Sequence, residues 1–224
     1  MVRLTYLALL LFVLSSCSTN LSPKDRQRIQ SVRIAPVTEL PKAYWKPSFT
    51  SPKESLPVIL TGGLAGVAGP AVYGAMANAI SGQKLPPKDT AAAIKDQIPN
   101  LPDVLGRELE KSLSKTSYFG PRLKSDAVGA TYYVKSVIYQ YTLYKKNDGS
   151  YSPGVGAEAW IMDPSGKKLA HQSYLVLPVA RNPLPTATLT DYLQKPGLLK
   201  AHFEEVTRIL ADNLAQSLET AATK

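Results

Sequence analysis

A single cysteine, Cys17, stands directly behind an apolar run, and it limits what the chain can fold into before any other residue does. With no second thiol in 224 residues, no disulfide framework can staple this chain, so its stability must come from a hydrophobic core. Ahead of Cys17, Arg3 supplies a short positive region and Leu7 to Leu14 an apolar stretch, the anatomy of a cleavable export signal over residues 1–16. The stretch is too short to span a bilayer. Cleavage before Cys17 leaves 208 residues, enough for one domain with an elaborate insertion, or for two small domains.

Leu14-Ser15-Ser16-Cys17 resembles a bacterial lipobox. In the lipoprotein class this resembles, the cysteine thiol receives a diacylglycerol, the bond before it is cut, and the new amine is acylated. The resemblance thus implies lipidation at Cys17, palmitate-type acyl chains and a membrane as partner. Three chains, at roughly 0.8 kcal/mol per buried CH₂, hold a protein far more firmly than one. Ser18 resembles the outer-membrane default of enterobacterial sorting, which implies a lipid-anchored protein of the cell outer membrane facing the periplasm. An ordinary secretory leader, with Cys17 a plain thiol, is the alternative. Loss of Arg3 takes the formal charge from +9 to +8. That surplus suits anionic headgroups or lipopolysaccharide phosphates, or is simply the charge of an exported basic protein. Nucleic acid is not an expected partner outside the cytoplasm.

Residues 17–30 read as a lipidated, polar tether without a fold of its own. Residues 31–224 read as a single α/β domain with an insertion at 38–100. Ser31 to Val37 alternates apolar and polar residues as a first strand would. Residues 38–56 carry Pro41, Pro47 and Pro52 among Tyr44, Trp45 and Phe49, the composition of an extended loop with aromatic anchors. Leu101, Leu105, Leu109 and Leu113 predict an amphipathic helix over about 102–117, after a short one at Asp89 to Gln97. Thr131 to Tyr144 reads as a long strand whose apolar register switches midway, which requires a bulge or burial of both faces. Asn147-Asp148-Gly149 and Asp163-Pro164-Ser165-Gly166 are turn signals, the second closing a hairpin onto a strand at Lys168 to Leu177. After a further proline-rich loop, Leu199, Phe203, Val206, Leu210, Leu214 and Leu218 stripe a long final helix.

From Ser55 to Gln83 no acidic or basic residue occurs. Gly62, Gly66, Pro70, Gly74, Asn78 and Gly82 fall every fourth position, one narrow face if helical. Small residues on a face let backbones approach closely, which makes Gly62, Gly66 and Gly74 candidates for self-association or a membrane face. Glycine and alanine contribute little transfer energy, and Pro57 and Pro70 interrupt a helix. Three readings stay open for the Gly/Ala-rich apolar segment 57–82: a packed insertion, a self-association helix and a membrane-inserting segment.

Catalytic and metal constellations are missing, so no catalytic residue, metal ligand or cofactor is assigned. His171 and His202 sit in no metal-ligand spacing, and phosphate-binding glycine motifs, CxxC and GxSxG are absent. Tyr132, Tyr133, Tyr139, Tyr141, Tyr144 and Tyr151 could bind a glycan or a protein, or pack across strands.

The order of strand, insertion, helix, strand, hairpin and helix over Ser31 to Ala221 resembles α/β domains of envelope lipoproteins. Similar layouts occur in the curli secretion channel subunit, in the lipoprotein activators of penicillin-binding proteins, and in the amino-terminal domain of TolB. Val32 to Val37, the glycine-rich insertion and Asp163 to Lys167 look like a group of uncharacterised proteobacterial lipoproteins. The fold expected is α+β, a small sheet of about four strands with two amphipathic helices on one face. The function expected is a non-enzymatic accessory or scaffold binding an envelope protein or its own copies. The alternative is an oligomeric pore or export component that uses residues 57–82.

Overall fold

A computed structural model of the chain describes residues 19–44, 93–124, 132–146, 148–178 and 184–224. The signal peptide, Cys17 and the glycine-rich segment 57–82 lie outside the described residues. The architecture is α+β, built on one mixed sheet.

The sheet has five strands: β1 (Val32–Ile34), β2 (Thr38–Tyr44), β3 (Tyr132–Lys145), β4 (Tyr151–Met162) and β5 (Lys168–Val176). β3, β4 and β5 form an antiparallel meander. β1 and β2 both run parallel to β3 along its other edge, Val32 opposite Tyr132 and Thr38 opposite Val137. β2 corrects the expectation of a loop at residues 38–44 and adds one strand to the about four expected. Pro41 argued against a strand because it lacks an N–H, yet on an edge that missing donor is tolerated, and the register is irregular between Glu39 and Tyr44.

The long strand carries a bulge, one of the two readings its apolar register left open. The register shifts between Ile138 and Gln140, so Val134 and Ile138 share a face with Tyr141 and Leu143. That face is the core side: Val134, Ile138 and Leu143 are fully buried, and the Tyr141 ring meets Phe203 edge-on at 6.5 Å. On β4, Val155, Ala157, Ala159 and Ile161 are all buried, as their alternation predicts. The β4–β5 turn is held by Asp163, whose carboxylate accepts from the N–H groups of Ser165 and Lys167, each at 2.9 Å. Gly166 follows at φ +86°, a conformation that a β-carbon would strain.

Helix α2 (Leu101–Leu113) and the terminal helix α4 (Leu198–Thr223) pack on each other, α2 also touching β3 and α4 touching β4 and β5. Their expected leucine stripes are the buried residues: Leu101, Leu105, Leu109 and Leu113 on α2, and Leu199, Phe203, Val206, Leu210, Leu214 and Leu218 on α4. A short helix α3 (Leu189–Gln194), within the region read as a proline loop, is nucleated by a reciprocal cap between Thr188 and Asp191.

The stretch read as a foldless tether differs most. Helix α1 (Pro23–Arg28) starts at Ser22, whose hydroxyl accepts from the Asp25 N–H at 3.1 Å, and Leu21 and Ile29 at its two ends enter the core at 2% and 0% exposure. Thr19 pairs with His171 on the free edge of β5 through two backbone bonds of 3.2 and 3.3 Å, and the Leu21 N–H donates to Ala221 O at 2.9 Å. Tyr118 Oη donates to Arg26 O and Arg122 Nε to Ile29 O, each at 3.0 Å. Polar composition suggested a free segment; two well-placed apolar residues and backbone pairing make it part of the body.

Candidate interaction surfaces

The site residues singled out in the sequence, Cys17, Gly62, Gly66 and Gly74, all lie outside the described residues. The tyrosines lie within them, but not as one patch. Tyr141 faces α4, and Tyr133 lies under Arg33 at 5.8 Å. Tyr151 pairs by backbone with Ala187 and accepts the Tyr192 hydroxyl at 3.1 Å. Tyr144 and Tyr139 instead cover glycines of β4. A β-carbon on Gly154 would fall on the Tyr144 ring, and one on Gly156 would lie 2.7 Å from Tyr139. Each ring occupies the space its glycine leaves, a cross-strand pairing that shields backbone otherwise bare. Burial pushes the Tyr144 phenol up, against a smaller lowering by Gln140, so it stays neutral.

Among the described residues no group of three or more His, Cys, Asp or Glu is placed to hold a metal ion. Several carboxylates have structural partners: Asp191 with Thr188 and Lys195, Glu205 and Asp212 with Arg208, Glu219 with Ser117 and the Tyr118 N–H.

The two histidines have different surroundings. His202 on α4 has Nδ1 2.9 Å from the Tyr192 hydroxyl. That hydroxyl gives its proton to Tyr151 O, so Nδ1–H donates to the hydroxyl. Burial holds His202 below the 6.5 of a solvated imidazole. Between the folded value and 6.5 the unfolded chain binds more protons than the folded one, so stability rises with pH in that window. Lowering the pH through about 6.5 is therefore expected to lower the thermal midpoint, and His202→Gln to flatten that slope.

His171 belongs to a cluster on the sheet face opposite the core. Directly across from it on β4, the Trp160 ring stacks on the imidazole, with centroids 5.1 Å apart and planes 11° apart. Lys168 Nζ stands 4.5 Å from the Trp160 centroid, and Glu158 Oε2 lies 3.5 Å from His171 Nε2. This cluster was missed in the sequence, because opposing Trp160 to His171 needs the β4–β5 register, which slips between Ile161 and Met162.

Two open grooves flank α4. One, of about 420 Å³, runs between the starts of α2 and α4 and is lined by Asp96, Asn100, Asp103, Lys200 and Glu204. The other, of about 410 Å³, lies between β5 and the second half of α4, lined by Asn20, Gln172, Tyr174, Asn213, Ser217 and Lys224. The first collects three carboxylate side chains; the second has no Asp or Glu, and its single charged side chain is Lys224. No helix among the described residues is long and apolar enough to cross a membrane.

No protein-family model matches the chain, and no curated protein matches it. Solved structures to which the chain is similar include two, each with a TM-score under 0.5. Protein XCC0632 from Xanthomonas campestris, of the DUF330 family, superposes with a TM-score of 0.38 at 11% identity over 54% of this chain. This chain covers 61% of that protein, less than two thirds of its length. The PelC dodecamer from Paraburkholderia phytofirmans superposes with a TM-score of 0.34 at 14% identity, over 54% of this chain and 77% of that one.

Proposed function

We propose that this protein is an outer-membrane lipoprotein, acylated at Cys17, whose α+β domain serves as a non-enzymatic scaffold for an envelope protein in the periplasm. The observation that carries the reading is Leu14-Ser15-Ser16-Cys17 behind an apolar leader. Because the chain is docked from Thr19 onward, an anchor at Cys17 would hold the body itself at the membrane. Two amphipathic helices on one face would leave the other sheet face and the carboxylate-lined groove open to a partner. Metabolic labelling with a palmitate analogue tests the anchor: label is expected on the wild-type chain and none on Cys17→Ala. Unlabelled wild-type protein contradicts the reading.

A second reading, an oligomeric pore or export component, is favoured by the four-residue spacing of Gly62, Gly66, Pro70, Gly74, Asn78 and Gly82. Cross-linking in native membranes separates the two. A ladder of homo-oligomers that disappears on Gly66→Leu or Gly74→Leu supports the second reading, and unchanged monomer supports the scaffold.

A further inference from the structure

The edge of β5 carries more than pairing groups. Thr19 is bonded to His171 on that edge, and only Ser18 separates Thr19 from Cys17. Two Cα–Cα steps of about 3.8 Å hold the Cα atoms of Cys17 and Thr19 within about 8 Å, so a lipid attached at Cys17 would start that close to the β5 edge. We infer that the β5 edge, with Trp160 and Lys168 on one side and Tyr174 and Lys224 on the other, lies on the anionic headgroup layer of the membrane holding Cys17. This inference rests on the lipoprotein reading and adds to it an orientation and a lipid-contacting surface.

Three observations converge on this edge. Thr19, His171 and Trp160 form a row across neighbouring strands, which places the indole two strands from the anchored segment. Trp160 carries Lys168 at 4.5 Å, and Tyr174 is one of two large apolar side chains left exposed among the described residues, at 38%. Tryptophan and tyrosine rings have an apolar body and a polar tip that suit the headgroup level, and lysine beside them meets lipid phosphate. Finally, the groove beneath Tyr174 is lined by neutral side chains and Lys224, with no Asp or Glu side chain. Glu158 lies on the Trp160 face, its Oε2 3.5 Å from His171 Nε2, and is the one acidic side chain of the Trp160–His171–Lys168 cluster. The carboxylate groove at the starts of α2 and α4 is a separate surface, with different lining residues.

Trp160 reports on this directly, since Trp45 is the other tryptophan and Trp45→Phe leaves one indole. The full acylated chain with that substitution is reconstituted in phosphatidylcholine–phosphatidylglycerol vesicles, with or without lipids brominated near the headgroup. Trp160 emission is expected to be quenched by the brominated lipid. Lys168→Glu is expected to shift the docked population down by about fivefold or more, and added salt to act in the same direction. Mass spectrometry of the same sample separates the two ideas. Acyl chains present with emission indifferent to bromine overturn the orientation and leave the anchor standing; acyl chains absent overturn both.

Discussion

Ile29→Ala is expected to lower the unfolding free energy of the mature chain by about 2–5 kcal/mol, the range for truncating a fully buried aliphatic side chain. Ile29 has no exposed surface, and its carbonyl accepts from Arg122. Removing its side chain leaves a cavity beside a segment that α1 and Tyr118 hold in place, so little relaxation can fill it. Leu21→Ala, at the other end of α1, is expected to cost a similar amount, and Ile29→Val only about 0.5–1.5 kcal/mol. Urea denaturation checks all three. The result bears on function as well as stability: near-neutral substitutions would mean a free tether, and the body could then stand off the membrane at any angle. A large cost means that the anchor and the domain move as one.

Gly154→Ala is expected to destabilise by about 1–3 kcal/mol, and Gly154→Val by the upper end of that range or more. The added carbon would meet the Tyr144 ring on one side and Val176 O at 3.1 Å on the other. Neither can yield cheaply: Tyr144 is 5% exposed and accepts a bond from Gln140 at 3.0 Å, and the carbonyl belongs to β5. Gly156→Ala serves as the comparison. Its closest clashes are with the ends of the half-buried Tyr139 and Leu175 side chains and with no backbone atom, so its cost should be smaller although the Tyr139 hydroxyl donates to Tyr174 O at 3.3 Å. Pairing Gly154→Ala with Tyr144→Val should recover part of the loss, a coupling readable from a double-mutant cycle. Equal effects at both glycines would contradict the ring-over-glycine account.

Much of the scaffold was legible because its signals are local. The leucine stripes of α2 and α4 are periodic within one element, and each buried residue on them can be named from spacing alone. The bulge in β3 was legible as a change of apolar register, and the β4–β5 turn as Asp163-Pro164-Ser165-Gly166. What escaped depends on partners distant in sequence. β2 exists because Thr38 and Glu39 reach β3, about a hundred residues on, and Pro41 outweighed that in any local reading. Leu21 and Ile29 are two isolated apolar residues in a polar stretch, with no period to announce burial. The Trp160–His171–Lys168 cluster and the seating of Tyr144 on Gly154 follow from strand register, which two slips set.

The claim on which location, orientation and partner all rest is acylation at Cys17. Its most direct test is the intact mass of the protein expressed with its own leader and extracted from the outer-membrane fraction. The account predicts a chain that begins at Cys17 and carries three acyl chains, recovered with the membrane. A chain that retains residues 1–16, or one with an unmodified Cys17 in the soluble fraction, would contradict it.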